Sequence, residues 1–360
     1  MSWFDSALLK PIHDYTMNTF SPLIGEMATK AMLWGANAGI VIAVIMVNVL
    51  VVVWLERKIL GRMMNRRGPV YAGPPVIWGF FQAIADFLKL LTKEVFRPAK
   101  ADPLTYMIGP AIMVFSALGI GLMVPFGHNL IGLENEASLL YIIALASIEP
   151  LGVMLMGLSA NNKFSLIGGM RSAAQMISYE LPAILVLVTA ALLAGSVDIL
   201  QIANAQNIWY AILIPLGFVI FLITMLAELE RTPFDIPEAE SELVAGFMTE
   251  HGGMYYGMVM ATEYISIFVT AALAAAVFLG GYGFWGMEMV QASVGAALFD
   301  LITLVVFLIK VYVIVFFIIW VRAVYFRLRI DQLLDLGWKR LFPLAIVNFF
   351  WAIAIFLALG

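Results

Sequence analysis

Eight apolar stretches, each about as long as a bilayer is thick, constrain this chain more than any other feature. They run over residues 31–55, 104–125, 138–158, 180–196, 209–229, 254–280, 298–322 and 340–359. A helix needs about 20 mostly apolar residues to cross a hydrocarbon layer of ~30 Å. In lipid every backbone N–H and C=O must find its partner inside the protein, which leaves only helices and closed barrels. These stretches are too long and too evenly apolar for barrel strands. The expected fold class is all-α: a polytopic membrane helix bundle of about eight transmembrane helices plus one amphipathic helix outside the membrane. Composition agrees, with 63% hydrophobic and 12% charged residues, about half the ~25% charge of a soluble domain. A soluble fold cannot hide that much apolar surface, and a disordered chain would not carry it. With no cysteine the chain offers no disulfide and no thiolate ligand of its own. Its three histidines, His13, His128 and His251, lie far apart in sequence, which argues against haem or zinc. The net charge of −4 argues against nucleic acid as a partner.

The domain organisation that follows has two parts. Residues 1–30, broken by Pro11 and Pro22, form an interfacial segment that resembles neither a signal peptide nor a span. Residues 31–360 form a single transmembrane domain with long loops at 56–103 and 228–253. Lys and Arg fix the orientation. The loops after the first, third, fifth and seventh stretches hold seventeen of the twenty basic residues, and those after the second, fourth and sixth hold none. The positive-inside rule makes the first set cytoplasmic and puts both termini on the other side.

Two of the cytoplasmic loops are more than connectors. Within Pro75–Val95, Phe80, Phe81, Ile84, Phe87, Leu88 and Leu91 recur near helical spacing, with Gln82, Asp86, Lys89 and Lys93 between them. That pattern predicts an amphipathic helix at the membrane surface. The loop from Ala227, AELERTPFDIPEAESELVAGFMTEHGG, holds Glu228, Glu230, Asp235, Glu238, Glu240, Glu242 and Glu250 against one base, Arg231. Glu238 and Glu242, four apart, share a helix face and repel. A solvated acidic loop would explain any one of these residues. It does not explain the interleaved Phe234, Ile236, Leu243, Val244 and Phe247, which point to burial.

Ionisable residues also lie within or beside the apolar stretches: Glu149, Glu180, Glu228, Glu263, Asp300 and Lys310. A charge at the bilayer centre costs at least ~2.5–3.5 kcal/mol on insertion scales, so such residues read as functional by default. A Lys310–Glu263 ion pair is the structural alternative. Several acids with one buried base leave most carboxylates unpaired, which favours a proton path.

Five segments carry a resemblance: LERKILGRMMNRRGP (55–69), QAIADFLKLLTKE (82–94), GLSANNKFSLIGGMRSAAQMISYE (157–180), AELERTPFDIPEAESELVAGFMTEHGGM (227–254) and RLRIDQLLDLGWKRLFPL (327–344). In this order they resemble the H-type membrane-subunit family of proton-pumping NADH–quinone oxidoreductase, respiratory complex I. The likeness runs from the first apolar stretch to the C-terminus. It implies a membrane-arm subunit that forms part of a quinone chamber, binds no cofactor itself and couples quinone reduction to proton translocation. The iron–sulfur clusters would lie in peripheral-arm partners, with small and antiporter-like membrane subunits alongside, in a prokaryotic plasma membrane. Carried over residue by residue, Glu56, Arg57, Asp86, Lys89 and Arg171 map to the quinone chamber. Glu180, Glu228, Asp235, Glu238, Glu240, Glu242 and Glu263 map to proton coupling. His251 and Tyr255 in TEHGGMYYG depart from the family's usual residues there. Related deazaflavin- or ferredoxin-linked complexes and membrane hydrogenases share the pattern. A stand-alone transporter would show an internal repeat, and none is evident.

Overall fold

A computed structural model describes residues 25–73, 79–128, 130–237, 240–285 and 295–359 and the isolated positions 10, 14, 16, 17, 287, 291 and 293, with backbone alone at 240, 241 and 359. The described residues form an all-α bundle with no strand beyond an isolated bridge between Pro125 and Ile131. Among them seven helices or helix pairs are long and apolar enough to cross a membrane, and an eighth apolar helix is shorter.

Helix α1 (Glu26–Met63) has 38 residues, so it is about 57 Å long, nearly twice the hydrocarbon thickness. Its buried stripe of Leu33, Asn37, Val41, Ile45, Val49, Val52 and Glu56 repeats every three to four residues and faces the bundle. It starts five residues before the predicted span, where Lys30 pairs with Glu26 at 2.6 Å. It ends eight residues after it, just before Asn65 turns left-handed. The predicted interfacial segment therefore ends in helix, and most of it lies outside the described residues.

The amphipathic helix is α2 (Phe81–Thr92). It buries Ala83 and leaves Phe81, Phe87, Leu88 and Leu91 exposed, the surface expected of a helix lying against lipid. Helix α3 (Pro103–Met123) starts at an Asp102 cap and is followed by α4 (Ser138–Ala146) and α5 (Glu149–Ser159). The last two form one span broken at Ser147 and Ile148, just ahead of Pro150, whose missing N–H interrupts the helix ladder.

Helix α6 (Lys163–Ala194) begins 17 residues before the predicted start at Glu180. Two local features explain the extension. The Asn162 side chain accepts a hydrogen bond from the Phe164 N–H at 3.1 Å and caps the first turn. Gly157 and Gly169 let α5 and α6 touch backbone to backbone, because a Cβ on Gly157 would lie 3.1 Å from the Gly169 Cα. Arg171 is thus a helix residue and not a loop residue.

Short α7 (Ile199–Asn204) and α8 (Tyr210–Leu213) lead to α9 (Pro215–Glu228). The predicted stretch 209–229 breaks at Ile214, ahead of Pro215, so α9 keeps 14 residues. Helix α10 (Glu240–Leu243) lies in the acidic loop. Helix α11 (Met254–Phe278) is the axis of the bundle, and Ala271, Ala272, Ala274, Ala275 and Ala276 are fully covered by neighbours. Helix α12 (Ala296–Val324) is followed by α13 (Ile330–Asp335), a π-helical turn (Leu336–Leu341) and α14 (Phe342–Leu359).

Lys310 does not meet Glu263. Its ammonium donates to the carbonyls of Leu279 (2.7 Å), Gly281 (2.8 Å) and Gly283 (2.6 Å), and it lies 5.4 Å from the Trp209 ring centroid. All three ammonium protons are used on carbonyls past the C-terminus of α11, which has no intrahelical donors for them.

Candidate functional site

Helices α1, α2 and α11 enclose a cavity of about 480 Å³. Its wall is mostly apolar, with Met46, Val49, Leu50, Phe87, Leu90 and Met260, and its polar groups are Arg57, Asp86, Lys89, Tyr256 and Tyr264. Arg57 bonds Asp86 at 2.5 Å, and the Gln82 amide donates to the other Asp86 oxygen at 3.0 Å. Partial burial alone would raise the Asp86 carboxyl, but the bonds from Arg57 and Gln82 outweigh it and hold the group below the usual carboxylate range. The structure thus brings Arg57, Asp86 and Lys89 together. Glu56, next to Arg57 on α1, is buried and does not line the cavity.

Glu56 belongs to an ion-pair network that the sequence does not announce. It meets Arg322 of α12 in direct contact and Arg231 of the acidic loop at 3.5 Å. Arg231 meets Glu263 of α11 at 3.0 Å and lies 5.0 Å from the Tyr264 ring centroid. Two acids and two bases from four parts of the chain neutralise one another here. Buried charges persist only in such mutual company. Glu263 is therefore paired, and the expectation of mostly unpaired intramembrane carboxylates fails at this point. Arg322 reads as a topology signal in the sequence because it ends an apolar stretch. Its sequence neighbours carry no hint of a partner 266 residues away.

One face of α6 holds the acidic loop. Arg171 bonds Glu242 at 2.6 Å, and the Ser172 hydroxyl donates to Glu230. The buried Gln175 amide donates to the carbonyls of Ala227 and Phe234, both at 2.8 Å. Arg327 bonds Asp235 at 2.7 Å from the far side. Phe234, Ile236, Leu243 and Phe247 are buried, as their interleaving predicts, but Val244, expected with them, is 57% exposed, because the backbone turns left-handed there (φ 64°) just past α10. Glu238 lies outside the described residues, as does the side chain of Glu240, so the placing of the Glu238–Glu242 pair lies outside them too.

Deeper in the bundle Glu149, Glu180 and Glu228 line one small cavity of about 60 Å³, together with Ser266 and Thr270. That is room for a few waters. The Ser147 hydroxyl donates to Glu180. Glu149 has no assignable role in the sequence. The helix break before Pro150 is the local signal, because it turns Glu149 into the first residue of α5 and aims it at Glu180 and Glu228.

At the loop's far end His251 is buried and stacked on Tyr106, with centroids 4.1 Å apart and planes 7° from parallel. Burial pushes the imidazole down to about 4. The Tyr106 hydroxyl donates to the Glu250 carbonyl at 2.8 Å, and Asn162 donates to the Glu250 carboxylate at 2.8 Å.

Residues 36–353 match a protein-family model described as NADH dehydrogenase.

Proposed function

Because the chain belongs to that NADH dehydrogenase family, the H-type membrane subunits of complex I, we propose that it walls the membrane-side entrance of a quinone chamber and passes the consequences of quinone reduction to a proton path. An integral membrane subunit of an oxidoreductase complex, assembled with other subunits, is what family membership itself states. The rest is our reading. The peripheral-arm partners carry the iron–sulfur clusters, small and antiporter-like subunits continue the membrane arm, and this chain binds no cofactor of its own. The basic end faces the cytoplasm of a prokaryotic cell.

The observation that carries this reading is the cavity between α1, α2 and α11. Its apolar wall suits an isoprenoid tail, and Arg57, Asp86 and Lys89 at its rim suit the polar head of a quinone. Beside it the acidic loop, with Asp235 and Glu242, leads toward Glu180 and Glu228, and Glu238 and Glu240 join this route on the strength of the sequence motif alone. Reducing a quinone to a quinol takes two electrons and two protons, and charge that appears before the protons arrive acts on nearby carboxylates. Two unit charges 4 Å apart interact by ~4 kcal/mol at an effective dielectric of ~20. That equals about three pKa units, enough to change which carboxylate holds a proton. In this reading Glu56 and Glu263 belong to the same route, Arg171 holds Glu242 in place, and electrons stay in the partner subunits.

Filling the cavity tests the entrance. Met260→Trp in the assembled complex is expected to raise KM for a long-tailed quinone about tenfold and to affect a short-tailed one far less. Equal KM values for both quinones, unchanged from wild type, would rule the cavity out as the route.

A further inference from the structure

Tyr264 belongs to two sites at once. It lines the cavity between α1, α2 and α11, and its ring carries the Arg231 guanidinium 5.0 Å from the centroid. Arg231 in turn stands between two carboxylates, with one terminal nitrogen 3.5 Å from Glu56 and the other 3.0 Å from Glu263. A guanidinium is planar and rigid, with its donors in a fixed fork. A small rotation or slide therefore shortens one contact and lengthens the other. Glu56 keeps Arg322 whichever way Arg231 leans, while Glu263 gives up its 3.0 Å contact if Arg231 moves toward Glu56.

We propose that Tyr264 is a positioning residue that reports occupancy of the cavity to Glu263 through Arg231. The proposal rests on the reading of the cavity as the quinone entrance. A ligand seated against the ring displaces it, and the seat of the guanidinium moves with the ring. Arg231 then redistributes between Glu56 and Glu263, so a neutral ligand in an apolar cavity changes the charge environment of Glu263, a carboxylate that does not line the cavity. No bond to the ligand and no redox step is needed. The ring face is the working part, since aromatic faces attract cations through their quadrupole with or without a hydroxyl. Tyr264→Phe should therefore retain the device and Tyr264→Leu should abolish it. A purely packing role would make the two variants differ only in stability.

The test uses the whole complex in membranes. Tyr264→Leu is expected to lower kcat for quinone reduction about tenfold, to change KM less than about twofold and to lower the protons moved per electron. Tyr264→Phe should restore all three. A second measurement does not depend on turnover or on the Leu variant assembling. Adding a redox-inert quinone analogue with an isoprenoid tail to the wild-type complex should produce an infrared carboxyl difference band. That band should be absent from Glu263→Gln and present in Tyr264→Phe. A wild-type kcat and proton ratio in an assembled Tyr264→Leu complex would overturn the proposal, as would Tyr264→Phe failing like Leu, or a difference spectrum unaltered by Glu263→Gln. Met260→Trp separates the two ideas. If it raises KM while Tyr264→Leu behaves as wild type, the entrance stands and the positioning role falls. If it leaves KM unchanged, the entrance itself falls.

Discussion

Arg57 of α1 donates to Asp86 of α2 at 2.5 Å, so one ion pair fastens the amphipathic helix to the first spanning helix at the rim of the cavity they share with α11. The pair is part-exposed, and exposed pairs contribute only ~0–1 kcal/mol to stability. Asp86→Asn should therefore leave assembly and thermal stability unchanged while raising KM for quinone several-fold, since Arg57 loses the anion that orients it. Steady-state kinetics in membranes, beside a native gel of the complex, would show it. An unchanged KM would assign the pair to anchoring alone.

The network of Glu56, Arg231, Glu263 and Arg322 behaves differently because it is buried. Removing one partner strands a charge, at a cost of about 3–5 kcal/mol. Arg231→Leu should therefore sharply lower the yield of assembled complex. Arg231→Leu combined with Glu263→Gln should recover part of it, because the double variant removes one charge of each sign. A double-mutant cycle on melting temperature measures the coupling. Strict additivity would mean that the 3.0 Å contact carries no energy of its own.

Arg171 and Glu242 are an exposed pair, with side-chain exposures of 26% and 60%. Arg171→Ala and Glu242→Gln should assemble normally and melt within about 1 kcal/mol of wild type. Both should slow quinone reduction and the proton uptake coupled to it. Normal turnover and pumping in an assembled double variant would remove this pair from the coupling route.

Glu149, Glu180 and Glu228 share one small cavity, so losing one carboxylate changes the electrostatics of the other two. Glu228→Gln should lower the protons moved per electron more than it lowers the rate of quinone reduction. Proton uptake measured against electron flux in proteoliposomes separates the two, and a proportional loss of both would point to the chamber instead.

The buried His251 predicts a pH dependence of stability. Its folded value is about 4 against 6.5 unperturbed. Between those values the unfolded chain binds the extra proton, so stability rises with pH through the window and is lost as pH falls from 6.5 toward 4. The full loss is at most about 3 kcal/mol. His251→Phe keeps the stack on Tyr106 and should flatten that acid limb, with Glu250, Tyr106 and Tyr255 left as the nearby titratable groups. Melting temperatures of both forms across that window give the comparison.

The spans were legible in the sequence because burial in lipid writes itself as long apolar runs. Their ends were less so. Helix α6 starts at Lys163 because a capping asparagine and a Gly–Gly contact support polar turns that hydropathy reads as loop. The acidic loop was legible as a buried element from Phe234, Ile236 and Phe247. The pairing of charges was not legible. Glu56 and Arg322 are joined only by tertiary folding, and Lys310 found backbone carbonyls where a carboxylate was the simpler guess. Glu149 gained a context only once the break before Pro150 was seen to aim it at Glu180 and Glu228.

The three bonds from Lys310 have a mechanical consequence for α11. They clamp one end of that helix to α12, while Glu263 and Tyr264 lie in its other half, more than a dozen residues away. A helix held so firmly at one end cannot slide along its axis without breaking those three charged hydrogen bonds. Displacement of Tyr264 must then be absorbed by the side chains around it rather than by a shift of the helix. Helix α11 is a fixed post anchored at Lys310, with Arg231 bound to Glu263 in its first half beside the cavity.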